Sequence, residues 1–359
     1  MNDQLKILIA YNEPNPDFYH KKNDENLTLE NINFIPYFEV DNLTPMEEYQ
    51  IIADKLKSAG YNSYTLNIFD NIEILLNDIK KNKPDIIFNF IEIYKENSRY
   101  EMNIVGLFEI LGIPYTGSPP LALANCQSKV LTKRLLNTVG INTPNFKVFS
   151  RFSSRYHHNL RFPLMVKPAF EDASVGIEND SIVRTNKELK NRIDYVLTYF
   201  AQPVLVEEYI KGRELNIAIL GNNKPRALPI SEIDFTKMPD HLYNIVSYQA
   251  KWEPMHEAYH KTIPICPAKL PKKTELKAKE TAVRAYKSMG CRDYARVDMR
   301  LANNGDLFVL EVNPNPDLTE GAGFMRSAEA AGYSYSRALR KIVECVLMRS
   351  KNGFSLVRT

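Results

Sequence analysis

The chain has 359 residues, enough for two or three domains with cores of their own. Lys and Arg number 46 against 43 Asp and Glu, and this balance of +3 points to neither nucleic acid nor a membrane surface as a partner, so any basic site has to be local. The apolar run Ile7 to Ala10 is too short for a signal-peptide core, and no stretch of about 18 apolar residues occurs, which makes a cytoplasmic protein the expectation. Cys126, Cys266, Cys291 and Cys345 form no Cys-x-x-Cys pair, and His256 and His260, at helical spacing, lack an evident third ligand. Structural zinc is not expected.

In chain order, the first third alternates. Strand "LKILIA" leads through helix "PMEEYQIIADKLKSAG" to a strand over Tyr64 to Ile68, then helix "NIEILLNDIKK", strand "DIIFNF" and a helix over Met102 to Leu111. Such alternation predicts a parallel sheet covered by helices, as a first domain over residues 1–120. The long Asn-, Asp- and Glu-rich stretch from Tyr11 to Leu43 reads as a loop over a site. A second domain, 121–208, holds helix "QSKVLTKRLLNTVG", strands Leu164 to Lys167 and Val204 to Tyr209, and a helix between them. The third, 209–359, holds "YQAKWEP", a helix over Lys272 to Met289, the segment "RVDMRLANNGDLFVLEVNPNP" and a terminal helix.

That last segment carries the chemistry. Two runs of alternating apolar and polar residues flank Asn304-Gly305, the preferred centre of a two-residue type I′ turn. Pairing Asn303 with Asp306 sets Asp298 opposite Glu311 and Arg296 opposite Asn313. Ala295, Val297, Met299 and Leu301 then share one face with Phe308, Leu310 and Val312. Like charges directly opposite, about 5 Å apart at Cβ, destabilise a ladder unless something neutralises them. Two carboxylates and an amide carbonyl are the hard oxygen ligands that Mg²⁺ accepts. Elsewhere the two common phosphate-loop fingerprints are absent, so a nucleotide would need another device. Lys129 opens a helix, Lys167 ends a strand, and "EDASVG" offers Ser174 and backbone N–H groups, a combination able to hold a triphosphate.

The order of these pieces resembles the ATP-grasp ligases, most closely the D-alanine:D-alanine ligase branch. The motifs are "GIPYTGS", "SKVLTKRLL", "FPLMVKP", "EDASVG", "VLVEEYIKGRELNIAIL", "YQAKW", "GCRDYARVDMR" and "LFVLEVNPNP", running over roughly two thirds of the chain. The resemblance implies an α/β (α+β) chain with the three-domain ATP-grasp fold, its N-terminal domain a Rossmann-like parallel sheet. It implies ATP and Mg²⁺ as cofactors, with Mn²⁺ able to stand in. Lys129 and Lys167 match lysines on the ATP phosphates, Lys251 a γ-phosphate lysine, and Glu207 and Glu208, with the backbone of Tyr209 and Ile210, the adenine hinge. Glu214 matches the acid on the ribose hydroxyls. Asp298, Glu311 and Asn313 match the Mg²⁺ ligands, and Arg296 the cation at the reacting acyl centre. The partners implied are a small-molecule carboxylate and an amine, amino acids or peptides among them, with homodimers common in the family.

Departures from the family pattern bear on the substrate. "AYNEPNP" replaces the first glycine-rich loop and leaves only Glu13 as a counterpart. "NFIEIYKENSRYEMN" replaces a His-Gly segment, so Asn89, Glu92 and Glu101 are the expected lining of the carboxylate pocket. Asp317 stands at a family glycine, Ala322 and Gly323 at a Ser-Leu pair that binds the acceptor carboxylate, and Asp172 and Ala173 where glycine and serine are usual. The expected activity is therefore formation of an amide through an acyl phosphate on a substrate other than the D-alanine dipeptide. D-Alanine:D-alanine ligation and a non-catalytic nucleotide-binding protein are the alternatives.

Overall fold

The computed structural model describes residues 4–15, 37–38 and 43–356, with side chains as far as 350. Ile7 to Ala10 are fully buried, as a strand covered on both faces requires. Strand β1 (Lys6–Tyr11) pairs in parallel with β2 (Asn62–Asn67) and β3 (Ile86–Phe90) in the order β2-β1-β3. Parallel neighbours need crossovers, which helices Pro45–Ser58 and Ile72–Asn82 supply. The first of these starts where Thr44 and Glu47 form a reciprocal capping box ahead of Pro45. Leu8, Ala10 and Ile87 pack towards Leu75 and Phe108 on one face of the sheet. Ile7, Ile9 and Phe88 share the other face with Ile52, Phe324 and Ile342, so helix Gly323–Ala330 and the terminal helix Tyr335–Leu356 close over the first sheet. Of the Tyr11 to Leu43 stretch, 16–36 and 39–42 lie outside the described residues, while Phe38 lies against the main cavity.

The second sheet is antiparallel, in the order β4-β7-β5-β6, from β4 (Phe146–Phe149), β5 (Leu164–Pro168), β6 (Ile182–Val183) and β7 (Val204–Glu208). Leu189, Ile193 and Val196 of helix Asn186–Tyr199 cover its apolar face. The third sheet runs β11-β10-β8-β12-β13, with β9 beside β8. Its strands are β8 (Gly212–Leu220), β9 (Arg226–Ala227), β10 (Ser231–Asp234), β11 (Ile263–Ile265), β12 (Tyr294–Ala302) and β13 (Leu307–Asn313). Helix Lys272–Met289 packs behind it through Ala278, Ala282, Ala285 and Met289.

The β12–β13 hairpin differs from its expected form in two places that cancel. Gly305 donates to Ala302 O at 2.9 Å and Ala302 donates to Asp306 O at 2.8 Å, which closes a loop over Asn303, Asn304 and Gly305 in place of the two-residue turn. Gly305 takes φ +87°, a conformation glycine adopts without strain. The outer ladder is thereby one residue out, with Met299 opposite Val309 and Leu301 opposite Leu307. A bulge at Leu310 restores the register, so Asp298 still faces Glu311 and Arg296 still faces Asn313. The bulge also exchanges faces: Leu307, Val309 and Val312 enter the core, whereas Phe308 and Leu310, expected there, do not.

Candidate active site

A cavity of about 350 Å³ lies between the second and third sheets. Its polar walls follow from the period of the strands. Glu214 and Asn216 project from β8, Arg296, Asp298 and Arg300 from β12, and Glu311 from β13, each set in the alternating positions that share one face. Lys167, Glu207 and Glu208 come from β5 and β7, with Tyr209 and Ile210 just beyond. Caps place the other two lysines. Ser128 accepts from Leu131 N and sets Lys129 at the first turn of helix Lys129–Thr138, and Ser247 accepts from Ala250 N and orients the short helix carrying Lys251.

Asp298 is the most heavily bonded group on this floor. Arg296 grips it through Nε and Nη2, both at 2.8 Å, Asn216 donates to Oδ1 at 2.8 Å, and Asn313 donates to Oδ2 at 3.0 Å and to Glu311 Oε1 at 3.4 Å. Burial pushes the Glu311 carboxyl up, but Lys129, Lys251, Lys167 and Arg296 more than reverse this and hold it at about 2. Protein cations and N–H groups thus supply the neutralisation that two facing carboxylates require. Among the described residues no three His, Cys, Asp or Glu side chains converge as a metal cage. The donor set is instead two carboxylates and an amide, which fits a hard divalent cation completed by water and phosphate.

A buried ion-pair cluster fixes the wall opposite. Glu207 lies 2.6 Å from both Lys133 and Lys167. Burial raises the Glu207 carboxyl, and the two lysines outweigh it and keep it ionised; burial and Lys167 depress the Lys133 ammonium. Lys133 is fully buried, and its approach to Glu207 is an ion pair with poor hydrogen-bond angles. Glu208 accepts from Arg161 and from Asn145 Nδ2. Glu214 pairs with Arg300 at 2.7 Å, and Arg300 also donates to Asn244 O and Gly212 O. Burial pushes the Glu214 carboxyl up despite that partner, with Asp298 and Glu311 adding to the rise.

The segment Glu171 to Ile177 closes one side. Lys129 Nζ donates to Glu171 O, Ser174 Oγ to Val246 O at 2.8 Å, and Trp252 Nε1 to Ala173 O at 2.9 Å. Ala173 and Ser174 have φ of +51° and +65°, left-handed conformations held by non-glycine residues. Leu310, delivered by the bulge, and Met165 supply apolar wall.

Glu13, Asn89, Glu92, Glu101 and Asp317 do not line this cavity, yet the structure brings four of them near one another. Tyr49, between Tyr11 and Phe90, has its hydroxyl pushed up by burial and then by Glu92, Asp317, Glu48 and Glu13. Glu101 accepts from Asn315 Nδ2 at 2.6 Å; burial and Asp172 nevertheless drive its carboxyl to about 8. Glu92 is open to solvent but crowded by protein and by Glu101, Asp172 and Asp317, which push it well above the ordinary range. Asp172 lines the main cavity and so stands where the two regions meet. Asn89 is buried, its Oδ1 accepting from Ile91 N and its Nδ2 without a partner. His256 and His260 bond backbone groups in the manner of structural histidines.

Sequence reasoning passed over Lys133, Asn216, Arg300, Tyr49 and Arg326. Three carried a signal, since Lys133 lies one helical turn from Lys129, and Asn216 and Arg300 lie one alternation step from Glu214 and Asp298. Nothing local marks Tyr49 or Arg326.

Two sheets facing one another across a cavity rich in lysine, with paired carboxylates on its floor, define the ATP-grasp class. Residues 135–344 match the family profile of the D-ala D-ala ligase C-terminus. The D-alanine–D-alanine ligase of Carboxydothermus hydrogenoformans is 34% identical over 298 residues, covering 80% of this chain and 88% of its own. The uncharacterized protein y4sG of Sinorhizobium fredii is 35% identical over 259 residues, covering 72% of this chain and 74% of its own. The crystal structure of the Bacillus anthracis D-alanine–D-alanine ligase complexed with ATP superposes with a TM-score of 0.71 at 23% identity, covering 97% and 99% of the two chains. The chain belongs to the D-alanine:D-alanine ligase-like branch of the ATP-grasp ligases and is an ATP-dependent ligase. No helix among the described residues is long and apolar enough to cross a membrane.

Proposed function

We propose that this ligase joins a small carboxylic acid to an amine, with a substrate pair other than two D-alanines. One carboxylate oxygen of the acid attacks the γ-phosphorus of ATP, ADP leaves, and the nitrogen of the amine then displaces phosphate from the acyl phosphate to form the amide. The observation that carries the reading is the convergence of Lys129, Lys167, Lys251 and Arg296 on Glu311 beside Asp298. These cations match the charge of a transferring phosphoryl group. Glu207, Glu208 and the backbone at Tyr209 and Ile210 hold adenine, Glu214 holds the ribose, and Ser174 with the loop amides covers the phosphates. Asp298, Glu311 and Asn313 would hold Mg²⁺, which would supply positive charge to the phosphate oxygens. Arg296 turns from Asp298 to the oxyanion of the tetrahedral intermediate. Glu13, Asn89, Glu92, Glu101 and Asp317 line the substrate side; this acid-rich lining supports a partner other than D-alanine.

The test is ADP release with Mg²⁺ and ATP against D- and L-amino acids and small carboxylic acids, singly and in pairs, with mass spectrometry of products. Release that needs one acid and one amine, with a product lighter than their sum by one water, supports the reading. The names of the relatives favour a second reading, D-alanine:D-alanine ligation, which release with D-alanine alone would establish. Asp298→Asn should abolish release while leaving the fold intact, as checked by circular dichroism; unchanged turnover would overturn the metal assignment.

A further inference from the structure

One wall residue of the main cavity comes from neither of the sheets that enclose it. Phe38 belongs to the connection between β1 and helix Pro45–Ser58, yet its half-buried ring lines the cavity beside Tyr259, Thr262 and Pro264. A fully buried histidine holds it there. His260 Nδ1 accepts from Tyr37 N at 3.0 Å and from Phe38 N at 3.1 Å, and its Nε2 lies 2.8 Å from Pro254 O. With N–H donors at Nδ1, the ring hydrogen sits on Nε2 and points at that carbonyl, so the imidazole is a neutral clamp joining segments 222 residues apart. The Phe38 ring meets Tyr259 edge-on at 5.6 Å and lies 6.2 Å from the His260 ring. The clamp grips only main-chain N–H groups of residues 37 and 38, which fixes the backbone and leaves the phenyl ring to face the cavity.

The register of the third sheet indicates which part of a nucleotide this wall would meet. Pro264 of β11 stands opposite Ile233 of β10, and Ile233 opposite Glu214 of β8, whereas Asp298 and Glu311 lie on β12 and β13, towards the other edge. Phe38 therefore borders the side of the ribose acid and stands away from the paired carboxylates. A half-buried phenyl ring in a polar cavity is apolar surface for a ligand to cover. We propose that Phe38 is a nucleotide-binding residue supplied from outside the two sheets, covering ATP on its ribose side, and that His260 is the residue that positions it. This inference rests on the nucleotide reading of the cavity given above.

The experiment is isothermal titration of the full chain with ATP and Mg²⁺, in wild type, Phe38→Ala, Phe38→Leu, His260→Leu, His260→Asn and the double variant Phe38→Ala/His260→Leu, with circular dichroism to verify that each folds. Phe38→Ala should raise Kd roughly 10-fold, the order expected when an aromatic face no longer meets its ligand, and leucine should restore part of the loss. His260→Leu removes the acceptor and should weaken ATP to a similar extent, whereas asparagine, whose side-chain oxygen can take the place of Nδ1, should recover part of it. Because His260 acts through Phe38, the double variant should bind ATP as weakly as either single variant and no worse. Losses that multiply would mean a merely structural histidine and overturn its positioning role. Where His260→Leu does not fold, Phe38→Ala and Phe38→Leu decide, since neither removes a group of the clamp. Wild type that does not bind ATP would overturn the nucleotide reading and this inference with it; wild type that binds, with Phe38→Ala within about threefold of it, would overturn this inference alone.

Discussion

The charges of this site are set by what each side chain can touch, and the buried pairs show how unequal the consequences are. Arg300 and Glu214 are both nearly buried and bonded at 2.7 Å. Truncating one partner leaves the other charged, dry and unpaired, so Arg300→Met should cost about 3 kcal/mol in urea unfolding and raise the KM for ATP. A change under about 0.5 kcal/mol would mean that Glu214 is neutral in the folded protein. Glu101 presents the opposite case. Its folded carboxyl is raised to about 8 from an ordinary 4.5, first by burial and then by Asp172, so the folded state binds the proton more tightly than the unfolded chain. Its contribution is present below about 4.5 and is lost as pH rises towards 8. Glu101→Gln cannot ionise, so the variant should match wild type near pH 4.5 and exceed it near pH 8.5 in urea midpoint. Parallel pH profiles would refute the raised carboxyl.

Elements make the site by small irregularities as much as by regular structure. The bulge at Leu310 compensates for a loop one residue longer than the shortest hairpin, and it turns Leu310 to the cavity without moving Glu311 away from Asp298. The Glu171 to Ile177 segment departs further from ideality. Ala173 sits at φ +51°, where a Cβ costs about 1 kcal/mol, while Gly176 sits at φ +74° with Pro168 and Phe200 packed where a side chain would go. Ala173→Gly should raise stability by roughly 0.5 kcal/mol, the relief of strain exceeding the added freedom of the unfolded chain. Gly176→Ala should lower it. Thermal denaturation of the two variants settles the sign at each position, and destabilisation by Ala173→Gly would show that Trp252 and the neighbouring loop hold that residue without strain.

At the scale of the molecule, the first sheet and the last helices share one core, Ile7, Ile9 and Phe88 with Leu339, Ile342 and Val343. Helix Gly323–Ala330 belongs to that core and also presents Arg326 to the cavity, so the substrate side is held by residues from both ends of the chain. Ile342→Ala should cost roughly 3 kcal/mol and lower amide-exchange protection of β1 and of the terminal helix together. Protection lost in the helix alone would show that the two ends unfold separately.

Much of this was legible in the order of residues because it depends on local periods. The parallel strands, Lys129 at a helix start, the helix over Lys272 to Met289 and the meeting of Asp298 with Glu311 all follow from alternation, caps and turns, which act over a few residues. The face exchange at Phe308 and Leu310 did not follow, because a bulge is decided by what packs on each side of a strand. Tyr49 could not be read from sequence, since Glu13, Glu92 and Asp317 meet it only when four distant segments fold together. Arg326 is the clearest instance. Its sequence neighbours are ordinary helix, and only tertiary packing sets it beside Arg296 across a glycine, with its Nε unsatisfied and Asp317 the carboxylate whose charge acts on it. The sequence by itself determined the class of chemistry, through short-range patterns that local backbone geometry obeys; only the tertiary structure decided which charges are left to meet a substrate, because electrostatic partnership depends on distance in space.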